Sequence, residues 1–200
     1  VLKIESHKNK PLLNDDTKEE LYVTQEMQCV LKAQFLLVLY NLVESTVNDC
    51  LNALYDAIFD DGLTYFSLSD DMRKMWRNHM KRRNHPNFEK SDDEIMSMNI
   101  RFEELAVNIS GSLDIRKIFE VFQKHGCPID DKYRDEFSNS FLIVKNRRNL
   151  LAHGNISFSQ CGACYMLADL EKFKNHIIAF MQMVTITMKQ HISDHKYKRY

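Results

Sequence analysis

The sequence predicts an all-α fold, a bundle with long core helices and an inserted region of loop and short helix. Three observations lead there. Apolar residues recur every three or four positions over long stretches, the spacing of a single helix face. Only 5 glycines and 3 prolines punctuate 200 residues, and there are 10 methionines. That composition suits helices joined by few sharp turns. The apolar–polar alternation of strands is absent over any useful length. A chain of this length suits one domain, 1–200, and can bury a sizeable core. Its 44% hydrophobic content excludes disorder.

Taken in order, residues 1–13 read as a polar lead-in. Asn14-Asp15-Asp16-Thr17 offers N-cap oxygens, with Glu19 and Glu20 in a first turn where acids are favoured. A helix through Thr24–Gln34 either runs into the next or breaks near Cys29. Gln28–Phe59 has the strongest pattern. Leu36, Tyr40, Val43, Val47, Cys50, Leu54 and Ile58 form its stripe, and Leu37, Leu39, Leu51 and Ala57 widen it. A helix apolar over so much of its girth should be central, and Asp60-Asp61-Gly62 ends it. Ser67-Leu68-Ser69-Asp70 looks like the cap of a helix running through Trp76 to Arg83. Asn84-His85-Pro86 stops that helix, because proline disfavours helix in the residue before it.

Residues 84–112 are the least patterned and are expected to be an insert, with a turn at Ser110-Gly111-Ser112, free to face a substrate or partner. Leu113–Lys124 forms a short helix with apolar Ile115, Ile118, Phe119 and Phe122, stopping at Gly126. Another helix starts from an N-cap at Asp130 or Asp131 and runs to His153. A connector, 155–165, leads into a long final helix, Met166–Ile192, whose stripe runs from Leu170 to Ile192. The end, 195–200, is basic and expected to fray. Helices 28–59, 131–153 and 166–192 should supply most of the core through their stripes.

The helix ending at His153 carries the most informative stretch. Phe137, Phe141, Val144, Arg148 and Leu151 fall on one stripe, apolar except for Arg148. Gly154 stands where a helix stops, since glycine takes the left-handed C′ conformation without steric cost. Arg148, Asn149 and His153 therefore gather on the final turn and a half. Arg148-Asn149-Leu150-Leu151-Ala152-His153 resembles the R-x4-6-H motif of the HEPN superfamily (higher eukaryotes and prokaryotes nucleotide-binding domains). Asn149 matches the polar residue preferred after the arginine, and the Ala-His-Gly ending fits. Leu36–Leu51 is similar to the first core helix of the MAE-type branch. The resemblance is sharp at 141–154 and diffuse over most of the chain.

That resemblance implies a HEPN-type bundle, needing no cofactor, that cleaves RNA without a metal. Two Arg-His sets would meet across a homodimer, or a pseudo-dimer with a related subunit, to form one composite cleft. The products would be a 2′,3′-cyclic phosphate and a 5′-hydroxyl. A toxin or defence effector of this kind often has an antitoxin or sensor subunit as partner. The residue types suit the chemistry. RNA brings its own nucleophile, the 2′-hydroxyl. His153 can move protons near neutral pH as general acid or base. Arg148 can clamp two phosphate oxygens with its fork and stay charged. Asn149, one turn before His153, would orient the phosphate or the imidazole.

Blander readings stand beside this one. Arg148 could pair with Glu44 or Asp49, and His153 could be an ordinary helix C-cap. A HEPN domain without activity could serve nucleotide or RNA binding, dimerisation or scaffolding. Outside the family, the chain could be a plain helical interaction module. Arg147 is the alternative motif arginine, at x5 spacing from His153; about 100° round the helix from Arg148, it is expected to face solvent. Net charge is −1, so any nucleic-acid contact must use a local patch. The densest basic run, Arg77 to Arg83, supplies Arg77, Lys81, Arg82 and Arg83 as candidate RNA contacts, with Arg147 added from the motif helix. Such a run is also what a solvated helix face looks like. Trp76 reads as core.

Other motifs carry less. Cys161-Gly162-Ala163-Cys164 lacks the second close pair a structural zinc needs. His191 and His195 share a helix face without the metalloprotease glutamate and are expected at the surface. No metal site is expected, and no glycine-rich phosphate loop occurs. Five scattered cysteines and no signal-peptide core at the first residues suggest reduced thiols in the cytoplasm, with Cys29 and Cys50 as small core residues. No uninterrupted apolar run reaches the length of a membrane span.

Overall fold

The computed structural model describes residues 12–13, 20–21, 23–109, 111 and 113–199. The cap expected at Asn14–Thr17, Glu19, Ser110, Ser112 and Tyr200 lie outside the described residues. The fold is an all-α bundle with long core helices. Its helices are α1 (Gln25–Asp60), α2 (Asp70–Arg82), α3 (Asp92–Ile95), α4 (Ile115–Lys124), α5 (Arg134–Ala152), α6 (Phe158–Ala163) and α7 (Leu167–Ser193). A two-residue antiparallel pair, Leu12–Leu13 with Glu20–Leu21, precedes them. Glu20 thus lies in an extended pair, not in the first turn of a helix.

Helix α1 does not break at Cys29. Thr24 caps it, its Oγ1 accepting from Met27 N at 3.1 Å, and the apolar spacing continues for all 36 residues. By length and apolar content alone this helix could cross a bilayer. A core helix passes the same test, and Ala33, Leu36, Val43, Val47, Leu51, Leu54 and Ile58 are all buried inside the protein.

The chain divides into two compact units. The first takes residues up to Leu42 together with Asn139–Ile178. Leu36, Leu39, Tyr40, Phe141, Val144, Leu151, Leu170, Phe173 and Ile177 form its core. The expected connector contains α6, whose N-cap Ser157 and Gln160 form a capping box. Helix α6 lies directly on α1: a Cβ on Gly162 would fall 1.8 Å from the Cys29 carbonyl oxygen. Only glycine allows that approach.

The second unit is Val43–Ser138 with Ala179–Tyr200. Trp76 is buried, as its pattern predicts, with Met72, Phe122 and Phe180. The expected insert is packed within this unit. Ile95, Ile100, Phe102 and Ile109 are buried, and Phe102 stacks on Tyr55 with ring centroids 4.2 Å apart. A polar relay fixes the same segment. Ala106 N donates to Tyr55 Oη at 3.3 Å, and that hydroxyl lies 2.7 Å from His125 Nε2. His125 Nδ1 is 2.6 Å from the Val121 carbonyl, which makes Nδ1 the protonated nitrogen. Burial holds His125 neutral, pushing its pKa down to about 4.

Two further expectations fail. His191 is buried, not at the surface, and burial lowers its pKa. The basic end is not loose through Arg199. Ser69 N donates to the Tyr197 carbonyl at 2.8 Å, and Arg199 N to the Ser67 carbonyl at 2.9 Å. Tyr197 is buried and donates to Asp61 Oδ2 at 2.5 Å. A buried aromatic among exposed cations pins the segment; the basic composition concealed it.

Candidate active site at the end of α5

Helix α5 starts after a 3-10 turn capped by Asp130, whose side chain accepts from Lys132 N at 3.1 Å. Its far end is a Schellman cap. Asn155 N donates to the Leu150 carbonyl at 2.9 Å, Gly154 N to the Leu151 carbonyl at 3.1 Å, and Gly154 has φ +68°. A side chain at residue 154 would strain that turn, so glycine fixes where the helix stops. His153 becomes the C-cap, with its backbone N–H bonded to the Asn149 carbonyl at 3.0 Å. Its side chain is exposed, as are Ala152 and Gly154.

Arg148 is half-buried, because its stripe points it inward between Val144 and Leu151. The guanidinium carbon lies 5.0 Å from the ring centroid of buried Tyr40 on α1. Nη1 donates to Asn149 Oδ1 at 3.3 Å. Among the described residues no carboxylate pairs with Arg148, and one donor of its five is engaged. Glu44, an expected partner, accepts from Gly111 N at 2.6 Å. The tip therefore presents a positioned, charge-bearing fork and an exposed imidazole on one helix end. The Asn149 side chain is turned to Arg148 and makes no hydrogen bond to the His153 imidazole among the described residues.

Arg147 is half-buried rather than turned to solvent. Its Nε donates to Tyr165 Oη at 2.6 Å, and the guanidinium carbon is 5.5 Å from that ring. Lys32 Nζ donates to the Tyr165 carbonyl at 3.2 Å. Tyr165 thereby clasps α5 and α1 around the motif. Cys161 beside it is buried, which pushes its thiol up, and Cys164 is exposed. Sequence reading missed Tyr40 and Tyr165 as supports of the two arginines. Tyr40 sat on an ordinary core stripe, and nothing in the spacing of Tyr165 marked it.

The other candidate RNA contacts lie on α2 and its C-cap, Arg83, in the second unit. Arg77 is paired with Asp92 at 2.5 Å and donates to the Phe88 carbonyl at 3.0 Å. Lys81 lies over the Phe88 ring at 5.7 Å. Arg83 is paired with Glu103 at 2.7 Å. Arg82 is exposed and reaches the Leu105 carbonyl at 3.5 Å. Among the described residues no group of three metal-binding side chains occurs.

A family model for MAE_28990-like HEPN domains matches residues 3–197. The chain belongs to this HEPN family. Membership supports a general ribonuclease or toxin-like role for this HEPN chain. Neither a curated protein nor a solved structure matches it.

Proposed function

We propose that this HEPN chain is a metal-independent endoribonuclease, a toxin or defence effector acting as a homodimer in the cytoplasm. The observation that carries the reading is the α5 tip. A half-buried guanidinium with no carboxylate partner among the described residues sits five residues before an exposed imidazole on the same helix end. Burying a cation against an aromatic face instead of an acid leaves its charge available for a phosphate.

The step balances without a further reactant. The 2′-oxygen attacks phosphorus as its proton passes to one imidazole, and the bond to the 5′-oxygen breaks as that oxygen takes a proton from another. Arg148 stabilises the charge growing on the non-bridging oxygens. Asn149 holds the guanidinium plane. Two proton-transfer roles and one His153 per chain require a second copy. Exposed Val38, Leu42 and Leu142, in the same unit as the motif, offer an apolar surface for it. An antitoxin or sensor subunit would act by covering this tip.

The test is cleavage of RNA in EDTA by wild type, His153→Ala and Arg148→Ala, with product ends identified. A 2′,3′-cyclic phosphate from wild type, and a rate lowered about 10²–10⁴-fold in either variant, is expected. Equal cleavage by wild type and His153→Ala removes His153 from the mechanism. A folded dimer inert on all RNA tested supports the scaffolding role instead.

A further inference from the structure

The second unit contains a groove that the basic run did not announce. One wall is a single face of α2, carrying Lys74, Asn78 and Arg82 at helical spacing; the other is α4, carrying Lys117 and Lys124 two turns apart. Asn108 lines it as well, and the cavity measures about 700 Å³. Four cations face two carboxylates. Asp71 is 3.6 Å from Lys74, and Glu120 bridges Lys117 at 3.1 Å and Lys124 at 2.5 Å. That bridge holds the two lysines in fixed positions while leaving the groove positive. The chain as a whole is slightly acidic, so this is a local concentration of charge, not a diffuse one.

From this groove we infer a docking site for the phosphate backbone of single-stranded RNA. The lysines and Arg82 would neutralise successive phosphates, releasing counterions. The asparagine amides suit phosphate and sugar oxygens. Of the cations in the basic run, Arg82 alone lines the groove; Arg77, Lys81 and Arg83 do not. The choice of RNA over other anions rests on the ribonuclease reading above.

The test measures binding of a labelled single-stranded RNA by fluorescence anisotropy over a salt series, in a His153→Ala background so that binding is read without cleavage. The variant carries Lys74→Gln, Arg82→Gln, Lys117→Gln and Lys124→Gln. Its affinity should fall at least about tenfold at low salt, with the log–log salt slope shallower by about 3. Asp71→Asn, which removes a carboxylate from the groove and retains all four cations, should tighten binding roughly threefold. It decides the matter if the quadruple variant does not fold. Unchanged affinity and slope in both variants overturns the site. So does loss of ATP binding with RNA binding intact, which would make the groove a pocket for free nucleotides. RNA cleavage by wild type is scored separately. Binding that depends on the groove, without cleavage, sinks the ribonuclease reading and keeps the groove; cleavage with groove-independent binding does the reverse.

Discussion

Tyr40 shows how one aromatic residue can place an arginine without neutralising it. A guanidinium laid against a ring loses water from one face yet keeps its in-plane N–H donors, the ones that meet phosphate. The stack is worth about 0.5–2 kcal/mol. Tyr40→Leu is therefore expected to lower cleavage about tenfold with a modest loss of stability, while Tyr40→Phe keeps the ring and most of the rate. Equal rates for Leu and Phe at this position would show that the ring has no part in placing Arg148. Arg148→Lys should lose most of the activity, because an ammonium is a point charge without the planar fork.

At the scale of elements, periodicity made the long helices legible, because burial of one face is what both the spacing and the packing record. Helix α5 and its Gly154 stop could be read down to the cap, since chemistry there is local. Helix α6 could not. It is six residues long and too short for a period; its place is set by Gly162 against a carbonyl far away in sequence. The packing of the 84–112 segment was not legible for a related reason. Its buried residues are spaced irregularly and are held by Tyr55 and His125 on other elements. Within the site, Arg148, Asn149 and His153 were legible as a motif, but Tyr165's hold on Arg147 is purely tertiary. Gly162→Ala tests the element claim. With Cys29 O only 1.8 Å from the added methyl, α6 must move, and a loss of at least about 2 kcal/mol in urea unfolding is expected. Removing the end from Lys196 onward should likewise destabilise the second unit, since Tyr197 is buried and bonded to Asp61. An unchanged melting temperature would contradict that.

For the whole molecule, pH reports the buried histidines. His125 titrates at about 4, and burial also lowers His79 and His191. In the unfolded chain these groups titrate near ~6.5. Between those values the unfolded state binds more protons, so stability is fully present above about pH 6.5 and falls as pH drops toward 4. The urea midpoint should be clearly lower at pH 5 than at pH 7, and less so in His125→Gln. A midpoint flat across that range would mean these imidazoles are not buried as described. The proposed homodimer is tested at the same scale. Val38→Glu on the exposed face of α1 should convert a dimer to monomer in analytical ultracentrifugation and abolish cleavage with it. A monomeric variant that still cleaves would leave the composite site without support.

The clasp of Tyr165 and Gly162 onto α1 also bears on how the protein is made. During synthesis the first helix leaves the ribosome long before its two contacts exist. Lys32 and Cys29 must wait for a segment translated much later, and Tyr40 waits likewise for Arg148. A growing chain therefore has no assembled α5 tip until Gly162 and Tyr165 have emerged. Under the proposed ribonuclease function, that delay keeps the nascent polypeptide inactive while its own message is being read.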